Sequence, residues 1–268
     1  MTKQLNIAIA GIAGRMGRQL GAAALETGHH LSGGSEAPGS TWLGAQMAAL
    51  IQGGPDTVNV SGTSTAAQGA DVWIDFTVPA ATIEALSALP TAGVKAAIIG
   101  TTGFTASQEA AIEAAAGTLA IVKAGNFSLG INLLEALVKQ AAARLGDDWD
   151  IEVFETHHRR KIDAPSGTAL MLGQAAADGR EVSLGDARRA PYDGPSAART
   201  PGEIGFSVRR SGGVIGEHEV TFGSDKEVVS LAHSALDRSV FAHGAIKAAE
   251  WATSQPPGLY AMSDVLSI

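Results

Sequence analysis

Three times in the first 116 residues, a short apolar run closes on a polar, glycine- or proline-bearing turn and a helix-forming stretch follows. Residues 5–10 lead through Gly11-Ile12-Ala13-Gly14-Arg15-Met16-Gly17 into Arg18–Glu26. Residues 71–76 lead through Thr77-Val78-Pro79 into Ala80–Leu89, and residues 95–99 through Gly100-Thr101-Thr102-Gly103 into Ala106–Ala116. A further strand-like run, 119–122, ends the series, and His30–Glu36 is a poorer strand candidate inside it. Repeated strand–turn–helix units place the strands parallel and cover both faces of the sheet with helices. The expectation is therefore an α/β, Rossmann-like, doubly wound sheet. Residues 41–70 read as loop and small elements, with a turn at Gly53-Gly54-Pro55-Asp56.

The pattern changes after about residue 128. Leu129–Leu145 carries apolar residues at helical spacing, and Asp150–Glu155 is a strand candidate. Ala169–Ala177 is a helix, followed by a loop-rich stretch from 178 to 202. Strand-like runs at 204–209, 217–222 and 227–231, joined by short turns, predict an antiparallel or mixed sheet and hence a second α+β domain. A last helix, Phe241–Trp251, leads through Pro256-Pro257-Gly258 to a short tail.

Composition removes several function classes. The 268 residues contain no cysteine, which excludes disulfides, thiolate metal sites and cysteine nucleophiles and fits a reducing, cytoplasmic setting. A net charge of −8 with 5% aromatic residues argues against a nucleic-acid surface, and no apolar run is long enough to span a bilayer. The amino-terminal residues run straight into a strand, so no targeting segment is expected. A small molecule is the default partner, and no metal-ligand constellation is evident.

The turn from Gly11 to Gly17 has the context of a dinucleotide-binding loop. Strand, glycines and helix follow in order, and a pyrophosphate is stabilised at a helix N-terminus. Its spacing, G-x-x-G-x-x-G, departs from the commoner pattern because Ala13 takes the middle place, and glycine-rich turns also arise from packing alone. Glu36, 19 residues beyond Gly17, stands where an acidic side chain accepts hydrogen bonds from the adenosine ribose; an exposed strand end fits the same spacing. Ala37-Pro38-Gly39-Ser40 follow, with no cation to pair with a 2′-phosphate, so NADH is favoured over NADPH. The turns Gly100-Thr101-Thr102 and Ala124-Gly125-Asn126-Phe127, at the carboxyl ends of two further strands, belong beside the same cofactor.

A second concentration of chemistry lies in His157-His158-Arg159-Arg160-Lys161-Ile162-Asp163-Ala164-Pro165-Ser166-Gly167-Thr168. Five basic residues precede a helix start in an acidic chain. Such a stretch is either a solvated basic turn or a site that holds an anion on the helix N-terminus.

Together, Gly11–Gly17, Gly100–Gly103, Ala124–Phe127 and His157–Ala169 resemble the 4-hydroxy-tetrahydrodipicolinate reductase (dihydrodipicolinate reductase) family of lysine and diaminopimelate biosynthesis. The resemblance covers essentially the whole chain, and its motif of two histidines, two variable residues, Lys, then x-Asp-Ala-Pro-Ser-Gly-Thr-Ala is long and specific. It implies a dinucleotide-binding domain from 1–127 and 238–268, a substrate-binding and oligomerisation domain from 128–237, and usually a homotetramer. It further implies NAD(P)H-dependent reduction of a cyclic, unsaturated dicarboxylate. His157 and Lys161 match proton-donating residues, while His158, Gly167 and Thr168 match substrate contacts. Gly11, Ile12, Ala13, Gly14, Arg15, Met16 and Glu36, with Gly100–Thr102 and Ala124–Phe127, match dinucleotide contacts. Chemistry adds Ser166 to the carboxylate site at the helix start, and makes Arg159 and Arg160 steering charges. Asp163 reads as a loop-ordering partner. Ala37 stands where some members of this family that use NADPH well carry Arg, which again favours NADH and leaves NADPH as the second choice. Two other readings stand beside this one: a different two-domain NAD-dependent dehydrogenase, which has no reason to carry the His157–Thr168 stretch, and a non-catalytic nucleotide-sensing protein.

Overall fold

The computed structural model describes residues 3–189, 191–192 and 198–268. Two compact units are present, one from residues 1–129 with 239–267 and the other from residues 130–238.

In the first unit, β1 (Asn6–Ala10) enters α1 (Arg15–Glu26), followed by β2 (His30–Ser35). A 3-10 turn at Met47–Ala49 and the short α2 (Thr63–Ala66) occupy the expected loop region. Then come β3 (Val72–Asp75), α3 (Pro79–Ala92), β4 (Ala96–Ile99), α4 (Ala106–Ala115) and β5 (Ala120–Lys123). A strand from the tail, β10 (Gly258–Tyr260), completes a six-stranded sheet of order β10-β5-β4-β3-β1-β2 in which every pairing is parallel. Strand residues alternate between two cores. Ile7, Ile9, Ile74, Ile98 and Val122 face a cluster with Leu20 of α1 and Ala245 and Ala249, whereas Trp73, Ala97, Ile99 and Ile121 face one with Leu86, Leu89 and Ile112. Helices on both faces leave only the strand ends open, and the order reverses between β1 and β3.

In the second unit, α5 (Leu129–Arg144) begins at the boundary and is followed by β6 (Asp150–His157), α6 (Gly167–Gly179) and the short α7 (Leu184–Ala187). The strands β7 (Ile204–Arg210), β8 (Glu217–Gly223) and β9 (Val228–Ser234) complete a mixed sheet of order β7-β6-β8-β9. β6 runs parallel to β7 and antiparallel to β8. Val153, Leu172, Phe206 and Phe222 are among the side chains that fill the core between this sheet and its helices.

The chain then returns to the first unit through α8 (Ser239–Ala252), β10 (Gly258–Tyr260) and α9 (Met262–Leu266). The fold class is therefore the one expected, with corrections at the ends of elements. α1 starts at Arg15 rather than Arg18, which moves Arg15 and Met16 from the loop into the first helical turn. α3 runs past Pro90 to a left-handed Gly93. β6 extends to His157, so the basic motif begins inside a strand. Short α7 lies within the expected loop 178–202, of which residues 190 and 193–197 fall outside the described residues. The tail contributes an edge strand that pairs with β5. Among the described residues no helix is long and apolar enough to cross a membrane.

Candidate active site

The carboxyl ends of β1, β4 and β5 carry every cofactor residue anticipated from the sequence except Glu36, which follows β2. Gly11 turns the chain with φ of +60°, a conformation that costs glycine little. Gly14 is the N-cap of α1 and offers no side chain to its first-turn N–H groups, an arrangement that suits an anion. A Cβ on Gly17 would overlap the Gly11 carbonyl and lie 2.7 Å from Ile12 Cα, so the third glycine seats the helix against the loop. The carboxylate of Glu36 is not a bare strand end, since its Oε1 accepts a hydrogen bond from Ala13 N–H at 2.8 Å.

Several of these side chains turn away from the strand-end crevice. Ile12 and Phe127 belong to the core, and Phe127 packs on Phe76 with ring centroids 5.2 Å apart. Thr101 is buried, and its hydroxyl reaches Asp75 Oδ1 at 3.2 Å while Thr82 donates to it at 3.0 Å. Asp75 Oδ1 also accepts from Thr77 N–H at 3.0 Å and from the Thr77 hydroxyl at 2.6 Å. At Ile12, Thr101 and Phe127 the side chains are therefore taken up by the protein itself, and any ligand contact falls to the main chain. Asp75 and Thr77, which tie the turns after β3 and β4 together, were not singled out from the sequence; a charged residue closing an otherwise apolar strand was the available signal. These features fit a dinucleotide: glycine backbone at a helix start, an acidic residue after β2 and converging strand-end turns.

The second unit gathers the basic motif around one buried carboxylate. Glu155 and His157 alternate onto the same face of β6. Glu155 has no solvent-exposed side-chain surface. Arg210 grips it with two hydrogen bonds, Nη1 to Oε2 at 2.7 Å and Nη2 to Oε1 at 2.8 Å. Ser166 N–H donates to Oε1 at 3.0 Å, and His157 Nδ1 lies 2.6 Å from Oε2. Burial raises the carboxyl pKa of Glu155, but Arg210, His157 and the Ser166 amide outweigh it and hold the group below its ordinary value. For His157 burial wins over the Glu155 attraction, and its pKa falls.

Ser166 corrects its sequence assignment in one respect. Its hydroxyl faces inward as the N-cap of α6, accepting from Ala169 N–H at 3.1 Å and meeting His218 Nε2 at 3.1 Å. That leaves Gly167 and Thr168 at the outer edge of the helix start. His218 stacks edge-on against His157, with centroids 5.1 Å apart, and burial together with neighbouring cations lowers its pKa to about 4. Lys161 pairs with Asp163 at 2.9 Å, and Arg210 Nη2 donates to the Asp163 carbonyl at 2.7 Å, which orders the loop between β6 and α6. His158 follows the strand, its Nδ1 buried, and Arg159 and Arg160 are exposed. Glu155, Arg210 and His218 were missed from the sequence. The alternation of Glu155 with His157 in an apolar strand was legible, but Arg210 and His218 reach the site only through strand register, opposite His157 and Glu155 respectively.

The chain matches two family models, the N-terminal part of dihydrodipicolinate reductase over residues 5–127 and the C-terminal part over residues 130–266. It is 49% identical over 272 residues to the 4-hydroxy-tetrahydrodipicolinate reductase of Parvibaculum lavamentivorans, covering all of both chains. To that of Caulobacter vibrioides it is 48% identical, covering 99% of this chain and 98% of the relative. In structure it resembles a dipicolinate-bound dihydrodipicolinate reductase from Paenisporosarcina sp. TG-14, with a TM-score of 0.77 at 23% identity over 97% and 98% of the two chains. A myo-inositol dehydrogenase from Corynebacterium glutamicum shares the fold at a TM-score of 0.58 and 13% identity, over 96% and 90% of the two chains. With both halves matched in order by the two parts of one family, and with relatives near half identity along its length, the chain belongs to the dihydrodipicolinate reductase family.

Proposed function

We propose that this chain reduces 4-hydroxy-tetrahydrodipicolinate to tetrahydrodipicolinate, consuming one NADH and one proton and releasing water, in lysine and diaminopimelate biosynthesis. The observation that carries the reading is the strand-end cluster in which a polarised imidazole, an ammonium and a helix N-terminus stand within one short segment, His157 to Thr168. A bound nicotinamide supplies the hydride. Hydride addition to a conjugated ring pushes an electron pair onto a neighbouring atom, which then needs a proton or a positive charge nearby. His157 and Lys161 are assigned to that task, the imidazole exchanging a proton and the ammonium neutralising charge. One substrate carboxylate rests on the Gly167 and Thr168 end of α6, which Ser166 keeps in place by capping, and His158 is assigned a further contact to the substrate. Binding a dicarboxylate there competes with Asp163 for Lys161.

On the cofactor side, the loop Gly11–Met16, Glu36, Gly100–Thr102 and Ala124–Phe127 are assigned to the dinucleotide. Glu36 with Ala37 after it favours NADH, because a 2′-phosphate would meet a carboxylate with no cation beside it. The same reading makes the protein a homotetramer acting in the cytoplasm on a small dicarboxylate, with neither nucleic acid nor membrane as partner. A coupled assay that generates the unstable substrate in situ and follows cofactor absorbance tests the proposal. Substrate-dependent loss of NADH, with a higher kcat/KM than for NADPH, is expected. No consumption of either cofactor overturns the function, and a clear NADPH preference overturns the argument from Glu36.

A further inference from the structure

Resting on the reading that His157 exchanges a proton with substrate, we infer that Glu155 is the positioning residue that fixes the imidazole in the tautomer with Nε2 as its working atom, Arg210 holding Glu155 in place. The argument is a count of donors and acceptors. An ionised carboxylate offers about four acceptor sites and no proton. In this site, Oε1 takes Arg210 Nη2 and Ser166 N–H, and Oε2 takes Arg210 Nη1 and His157 Nδ1. Three of these four partners can only donate. The guanidinium pair keeps the carboxylate ionised in spite of its burial, so the proton in the 2.6 Å contact belongs to Nδ1. Neutral His157 is then the Nδ1–H tautomer, and Nε2 is where the second proton comes and goes.

The surroundings agree with that assignment. The Nε2 edge of His157 faces Gly216, where a Cβ would stand only 3.1 Å from Nε2, so the missing side chain leaves this atom uncrowded. The charged and titratable groups around the ring are Glu155 on its own strand, Arg210 from β7, His218 from β8 with His233 beyond it on β9, and Lys161 paired to Asp163 in the following loop. Of these only Glu155 offers Nδ1 an acceptor. Arg210 meanwhile joins β7 to the loop through the Asp163 carbonyl, so the clamp on Glu155 also places Lys161. A purely structural ion pair between β6 and β7 requires the Arg210 contacts alone and sets no tautomer.

The decisive experiment combines 15N NMR of the imidazoles in the wild-type protein with steady-state kinetics of Glu155→Gln across pH. In the wild type, neutral His157 is expected to carry its proton on Nδ1. In Glu155→Gln, turnover should fall by about 10²-fold, on the scale of general acid–base catalysis, with NADH binding unchanged. The pH limb belonging to His157 should move to lower pH, since the carboxylate that favours the imidazolium is gone. A wild-type Nε2–H tautomer overturns the inference, and that measurement stands even when the variant does not fold. A folded variant with the wild-type limb overturns it too, whatever its turnover. If instead the wild type reduces nothing, or His157→Ala retains full turnover, the parent reading is what fails.

Discussion

Replacing Arg210 by Met removes the guanidinium while keeping a side chain of similar length. It leaves Glu155, which has no exposed side-chain surface, with only Ser166 N–H and His157 as partners among the described residues. Stripping one member from a buried pair costs about 3–5 kcal/mol, because the remaining charge is stranded. Arg210 keeps 21% of its side-chain surface exposed, so water reaches the gap and the lower figure, about 3 kcal/mol, applies. That is roughly a 150-fold change in the opening equilibrium. The cost carries a pH signature. In the wild type Glu155 has a folded-state pKa below its ordinary 4.5, so it contributes stability above that pH and loses it as pH falls through the folded value. In the variant the lowering by Arg210 is gone, so the folded-state pKa is expected to rise. The variant's deficit is then fully present at neutral pH and shrinks as pH falls through that raised value. Amide hydrogen exchange of β6 and β8, with urea, at pH 7 and near pH 4.5 measures it within the unit that contains the site. A loss below about 1 kcal/mol at pH 7, or one that grows toward acid, refutes the stranded-charge argument.

Two further substitutions probe the glycines that the sites depend on. Gly17→Ala forces a methyl onto the Gly11 carbonyl and against Ile12 Cα, and should destabilise the first unit by about 1–3 kcal/mol, the range for overpacking. Calorimetry should show its transition lowered and titration should show weaker dinucleotide binding; an unchanged melting temperature means that loop and helix are not in the contact described. Gly216→Ala places a methyl 3.1 Å from His157 Nε2, and should lower kcat while leaving NADH affinity as it was. Equal kcat in variant and wild type removes Nε2 as the working atom.

What could be read early was local. Apolar runs with period two, helix formers after glycine turns and the basic motif before a helix start all report on neighbours within a few residues, and each marks an element now seen. The errors were at ends, where local signals compete. The helix after Gly11–Gly17 begins three residues sooner than expected because its cap, Gly14, carries no capping side chain to announce it. The three-residue β10 is too short to show a period, and it exists because Gly258–Tyr260 pairs with Ala120–Val122, more than 130 residues earlier in the chain.

The candidate site divides along the same line. Spacing alone brought His157, Lys161, Ser166, Gly167 and Thr168 into one segment, and it put glycines and Glu36 where a dinucleotide loop needs them. Only the tertiary structure decided which of those groups face outward. It turned Ser166 into a cap, buried Ile12, Thr101 and Phe127, and tied Glu36 to Ala13. It also supplied the partners that give His157 its character. Arg210 lies 55 residues from Glu155 and His218 lies 52 from Ser166, and no local pattern links them. The register of β6 between β7 and β8 sets them side by side, and that register follows from which face of each strand enters the core.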